Sequence, residues 1–377
     1  MTAENIGGNI AYRSSLDSPR KTAPYFRAFR SPCSHDPACG GRVKENQSTM
    51  LRVAISQLTT SRWELPQEID RLSDHGFDCL ALWRPKLSDF GSTACAELLA
   101  AAGIRVSCLQ WAGGFTGGDG RCSRESIDDA VEAIEDAAVL GAGSVVIHSG
   151  CRGGHTRAHA RRLLVAALES LAPVARSAGV ALALRPLHAA AAERCSFLTS
   201  LGDALDVVEQ IDDPVIRLAV DLWHFGDDPA LPRLLHRLMP RTAVIQVADR
   251  AGPPTTELER RPAGHGSLPL EELVLDCVAH GYGGTFEFDP VGEDVALLGY
   301  DAVLRQTREV ADRLSAAAHE RSEWHRAAAA FRQTAGTRPV PGCFDAAAAQ
   351  AVDRTAAQFR SAGSRRSHAS SQTVSRG

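Results

Sequence analysis

Polar residues close a succession of short apolar runs in this chain. They are Gln57, Gln110 with Trp111, His148, Arg185 with His188, Asp221 with His224, Gln246 with Asp249, and Glu287. Carboxylates such as Asp221 and Glu287 can take and return protons, while imidazole and guanidinium groups orient a substrate and stabilise developing negative charge. A polar group inside an apolar run costs free energy unless it is paired, so a shared water- or metal-filled mouth satisfies many of them together. Arg185, with Arg152 and His155 of the stretch SGCRGGHTRAH, can clamp a phosphate or carboxylate. Plainer roles exist for the same residues. Asp221 can cap a helix or join an ion pair, and His148 and His188 can bond backbone. His224, one helical turn beyond Asp221, can orient a substrate or ligand. If Arg185 pairs with Asp221 or Glu287, the site is inert.

These residues must be carried by regular elements. Strands are expected at LRVAIS (from 51), DCLAL (78), RVSCLQ (105), SVVIHS (144), ALALRP (181), RLAVDL (217), TAVIQVA (242) and GTFEFD (284), with helical spacing between them. Continuous rather than alternating apolar strands imply burial on both faces, and intervening helices imply parallel crossovers. Eight such units predict an α/β fold, a (β/α)8 TIM barrel, in which strand C-termini converge on one mouth. An open doubly wound sheet is the alternative, but no GxGxxG follows the first strand. GGFTGGDG (113–120) reads as a lid or spacer. In GHGSLPLEEL, Ser267 is expected to cap a helix with Pro269 in its first turn.

The barrel is assigned to residues 50–318. Residues 1–49 form an expected flexible N-terminal extension, and 319–377 an Ala/Arg/Ser-rich extension, partly helical and then disordered. Of the 377 residues 44% are hydrophobic and 23% charged, enough for a large core. A formal net charge of -4 provides no field for nucleic acid or an anionic membrane, and neither partner is expected. No run approaches the ~20 apolar residues of a membrane span, and the start MTAENIGGNIAYRSS lacks a secretory core. A cytoplasmic protein is expected. The 10 cysteines show no CxxC pair, which fits a reducing compartment; Cys33 and Cys39 form at most a poor zinc motif.

Four stretches, ALALRPLHAAAAERCSFLTSLGDALDVVEQI, VDLWHFGDDPAL, VIQVADR and GHGSLPLEELVLDCVAHGYGGTFEFD, carry a family likeness that spans Met50 to Ala317. In them the chain resembles the xylose isomerase-like barrel superfamily of sugar and sugar-phosphate isomerases and epimerases. The resemblance implies one divalent ion (Mn, Mg, Co or Zn) held by residues on strands five to eight. Carried over, the ligands are Asp221, Gln246 and Glu287, with Arg185 where the family has a glutamate. A guanidinium cannot ligate a cation. The implied activity is isomerisation or epimerisation of a sugar, polyol or sugar phosphate by proton transfer alpha to a carbonyl, with a metal polarising the oxygens. Glu287 is then the candidate base and Arg185 a catalytic stabiliser of an enediolate oxygen. His148, His188, His224 and Arg152 are candidate substrate-binding residues. The alternative is a non-catalytic metabolite- or protein-binding relative that lost its metal cage through Arg185. The superfamily's DNA-repair nuclease chemistry needs a multi-metal cage and a basic face, and the sequence provides neither. A homo-oligomer is compatible with all of this.

Overall fold

Inside each strand, bulky and small apolar residues alternate, and the period of two sends them to opposite faces. Val53, Ile55, Leu80, Leu82, Val145, Ile147, Leu182, Leu184, Leu218, Val220, Phe286 and Phe288 face outward into a large core shared with the helices. Ala81, Cys108, Val146, Ala183, Ala219 and Val244 face inward and form a separate small core. Small inward residues suit a barrel interior, which must be filled by side chains rather than left as a pore.

The computed structural model describes residues 51–335, apart from 191, 193, 194 and 256–258. The predicted extension 1–49, the Cys33/Cys39 motif and the chain beyond 335 lie outside the described residues. The eight strands are β1 (Arg52–Ser56), β2 (Cys79–Trp83), β3 (Arg105–Gly113), β4 (Ser144–His148), β5 (Ala181–Leu184), β6 (Ile216–Asp221), β7 (Thr242–Val247) and β8 (Thr285–Phe288). They pair in chain order into a closed parallel barrel, β8 returning to β1. The open-sheet alternative is thereby excluded.

The helices are α1 (Leu65–Asp74), α2 (Arg84–Phe90), α3 (Ser92–Ala101), α4 (Ser123–Val139), α5 (Arg157–Ala178), α6 (Leu201–Ile211), α7 (Leu222–Phe225), α8 (Leu231–Leu238), α9 (Leu270–Ala279), α10 (Glu293–Leu298) and α11 (Tyr300–Ala335). The short helices α2, α7 and α10 were not expected from the sequence. Each spans too few residues to show a helical apolar period. The helix foreseen from about 299 to 317 runs on to Ala335. Ser267 does not cap α9. Its hydroxyl bonds the Arg250 carbonyl oxygen at 3.1 Å, and no side chain caps the helix, which follows Pro269 directly. No helix among the described residues is long and apolar enough to cross a membrane.

Candidate functional site

The same period of two that builds the inner core builds the site. Two residues beyond Cys108, Val146, Ala183, Ala219 and Val244 stand Gln110, His148, Arg185, Asp221 and Gln246, so a polar layer lies one step toward the strand C-termini. Asp221, Gln246 and Glu287 are neighbours in register across β6, β7 and β8. All three are fully buried.

Asp221 is the hub. Its Oδ2 accepts from Arg185 Nη2 and, at 3.0 Å, from Arg260 Nη1; its Oδ1 accepts from Arg260 Nη2 at 3.1 Å and from the Trp223 backbone N–H at 2.9 Å. The last bond also starts α7. Burial works against ionisation here, yet Arg260 and Arg185 outweigh it and hold the Asp221 carboxyl well below the usual range. Arg260 also donates to Asp289 Oδ1 at 2.5 Å, and its guanidinium lies 5.3 Å from the centre of the Trp223 ring. Burial pushes the Asp289 carboxyl upward. Arg260 opposes that shift, but its charge is shared with Asp221, whose own charge adds to it.

Arg260 comes from the long loop between β7 and α9, and backbone bonds place it. Its N–H and carbonyl pair with Val291 at 2.9 and 2.8 Å, and the adjoining Arg261 pairs likewise with Asp249. Asp249 organises the loop from within. Its carboxylate accepts the backbone N–H groups of Arg250, Gly264, Gly266 and Leu268 at 2.8 to 3.1 Å. Trp223 Nε1 donates to the Glu259 carbonyl at 2.9 Å, tying α7 to the residue before Arg260.

Glu287 has different company. Cys108 Sγ donates to its Oε2 at 3.0 Å, Gln246 Nε2 to its Oε1 at 3.2 Å, and Gln110 Nε2 also to Oε1. Burial raises its pKa, and these neutral donors only partly counter the shift. Among the described residues no guanidinium or ammonium pairs with it.

His148 stacks on Trp111, ring centres 5.3 Å apart and planes 14° from parallel. The strands approach closely enough for this because residue 113 is glycine: at φ +137° a Cβ there would lie 1.9 Å from the His148 carbonyl oxygen. Burial, then the charge of Arg185, pushes His148 down to about 3, so the ring is neutral at ordinary pH. His224 is pushed to about 3, chiefly by burial, although its Nε2 lies 3.6 Å from Asp221 Oδ2. His188 is half-buried, and its backbone N–H bonds His224 Nδ1 at 3.3 Å.

Of the expected site residues, the fold brings Arg185, Asp221, Gln246, Glu287, His148 and His224 into one polar layer, with His188 at its edge. Arg152 stands apart, exposed and lining a pocket of about 220 Å³ with Arg157, Ser196, Phe197 and Thr199. His155 bonds the Thr116 carbonyl oxygen at 3.1 Å rather than joining Arg185. Arg260, Asp289 and Cys108 were not singled out from the sequence as site residues. Asp289 could have been, two residues beyond Glu287 on the same strand face.

The donor set does not fit a divalent ion at Asp221, Gln246 and Glu287. Both Asp221 oxygens are occupied by guanidinium groups, and two cations already stand where a third would have to enter. Among the described residues no group of three or more His, Cys, Asp or Glu side chains is placed to hold a metal.

Residues 69–314 match the family model of the xylose isomerase-like TIM barrel, and the chain belongs to that family. No curated protein matches the chain. Among solved structures it is similar to protein SMc04130 from Sinorhizobium meliloti 1021, with 27% identity over 68% of this chain and 96% of the other, at a TM-score of 0.64. It is also similar in fold to the IOLI protein, solved with a binding zinc atom (16% identity, 70% and 98% covered, TM-score 0.62). The same holds for an L-ribulose 3-epimerase (17%, 73% and 98%, TM-score 0.61).

Proposed function

We propose that the barrel mouth binds a sugar, polyol or related hydroxylated metabolite without a divalent ion. One observation carries the metal-free part of this reading: Arg185 and Arg260 together close both oxygens of Asp221. Family membership and fold-related epimerases support the ligand class. So does Trp111, 38% exposed beside buried His148, because an exposed indole face suits the C–H face of a sugar ring. The free cysteines among the described residues support a reducing, cytoplasmic setting.

A second reading is isomerisation or epimerisation, with Glu287 as base and, because the ion pair of Arg185 with Asp221 occupies Nη2 alone, the unpartnered Arg185 Nε–H in place of a metal as the stabiliser of an enediolate oxygen. It is favoured by one feature: Glu287 is a buried carboxyl with no cation paired to it among the described residues, and burial raises its pKa.

Elemental analysis, calorimetry and proton exchange together separate these readings. Purified protein exposed to Mn, Mg, Co and Zn salts and then desalted should hold far less than one equivalent of metal, and sugar binding should survive EDTA. Stoichiometric metal, or binding lost to EDTA, overturns the metal-free reading. In heavy water, NMR should show no exchange of the proton alpha to the carbonyl of an added ketose above the blank. Exchange that disappears in Glu287→Gln establishes the second reading instead.

A further inference from the structure

His148 and Arg185 stand side by side on adjacent strands. Ile147 and Leu184 are register partners, and the Arg185 N–H bonds the Ile147 carbonyl at 2.9 Å. Both residues are more than nine-tenths buried, at 8% and 7% exposure. Arg185 spends Nη2 on Asp221, but its Nε–H has no partner, and neither has His148 Nε2. A buried donor left unpaired is costly, and more so when it is charged. Two such atoms on neighbouring strand ends therefore point to a group that arrives from outside.

The charges around them indicate its sign. Arg185 and Arg260 share Asp221, and Arg260 has a second carboxylate partner in Asp289 at 2.5 Å. The Arg185 Nε–H is a charged donor without a partner in this cluster, and beside His148 it suits an anion. A neutral imidazole there, in the tautomer with hydrogen on Nε2, donates without adding charge. Trp111 covers the outer face of that ring and leaves part of its own surface open at the mouth.

We propose that the ligand is a sugar acid, an aldonate or uronate, whose carboxylate accepts hydrogen bonds from Arg185 Nε–H and His148 Nε2–H while its hydroxylated carbons lie over Trp111. This rests on the reading of the mouth as a sugar-type site and names the class within it. A planar carboxylate has two oxygens and accepts from both donors at once, one on each.

The test is calorimetry on the full chain in EDTA at pH 7 with D-gluconate, D-glucuronate and D-xylonate, their neutral parents D-glucose and D-xylose, and D-glucose 6-phosphate. At least one acid should bind about ten-fold or more tightly than its neutral parent, the worth of one charge-assisted hydrogen bond. Arg185→Met should remove that preference, and His148→Phe should reduce it. Trp111→Ala should weaken acid and parent alike and leave their ratio unchanged. Circular dichroism and melting checked on each variant separate loss of preference from loss of fold. Acid and parent binding equally, the phosphate binding tightest, or a preference that survives in folded Arg185→Met overturns the proposal and leaves the sugar-site reading standing. If none of the six compounds binds, both fall.

Discussion

Arg260 holds Asp221 with both arms of its guanidinium, Nη1 at 3.0 Å from one carboxylate oxygen and Nη2 at 3.1 Å from the other, across 39 residues of chain. One partner ends a barrel strand and the other rides on a loop, so this fork joins the strand C-termini to the segment that covers them. Bidentate pairing fixes direction as well as distance, which a lysine cannot reproduce.

Removing that fork leaves Asp221 with Arg185 alone and strips Asp289 of its cation. Arg260→Met should destabilise the protein by about 3–5 kcal/mol, the usual penalty for orphaning a buried charge. Arg260→Lys should recover less than half of the loss. Denaturant midpoints for the three proteins check both expectations, and a methionine variant within 1 kcal/mol of the parent counts against a structural role for the fork.

Asp249 should matter through the loop rather than through contact with ligand. Asp249→Ala frees four backbone N–H groups at once. Amide exchange at Gly264, Gly266 and Leu268 should quicken markedly, and Arg260 should lose its register. Hydrogen exchange by mass spectrometry on peptides spanning 259–270 reads this directly.

Acid should unfold the protein through its buried histidines. His148 and His224 have folded pKa values near 3 against an ordinary 6.5, so the unfolded chain binds protons that the folded chain refuses. Stability is therefore lost as pH falls from about 6.5 toward 3, by up to about 5 kcal/mol for each histidine. His148→Gln, neutral at every pH, should flatten its share of that slope. Urea titrations at pH 7, 5 and 4 measure it.

Glu287 acts in the opposite sense. Its folded pKa is raised, so the folded state holds a proton that the unfolded state releases, and stability falls as pH climbs from the ordinary carboxyl range through the raised value. Glu287→Gln should remove that decline while costing little at low pH, where the carboxyl is already neutral. A parent and variant with parallel stability curves between pH 5 and 9 would show that burial does not shift this group.

The barrel was readable because its signal is repeated. Eight apolar runs separated by helical segments admit few topologies, and all eight strands fall where the residue pattern puts them, as do the long helices except the last, which runs on to Ala335. Glu287, Asp221, Gln246, Arg185 and His148 were visible for a related reason: each interrupts a run at the step where an inward apolar side chain is due. Arg260 gave no such sign. It sits in the polar stretch ELERRP, where no period marks one arginine from the next, and its importance comes from Asp249 and Val291, which are distant in sequence. The Arg185–Asp221 pair was readable only as one of several possibilities, because residue types do not determine which way a long side chain turns. Cys108 was seen as a small hydrophobe, and as an inner-core residue it is one; its bond to Glu287 depends on the curvature that brings β3 and β8 across the barrel.

The alanines at 81, 183 and 219 have an effect beyond filling space. By staying short they leave the long side chains of the layer above free to bend inward and meet at the barrel axis. Asp221 meets two guanidinium groups there, Arg185 from the end of β5 and Arg260 from the loop that Asp249 and Val291 hold in place, so a shift of that loop is felt directly at the strand ends.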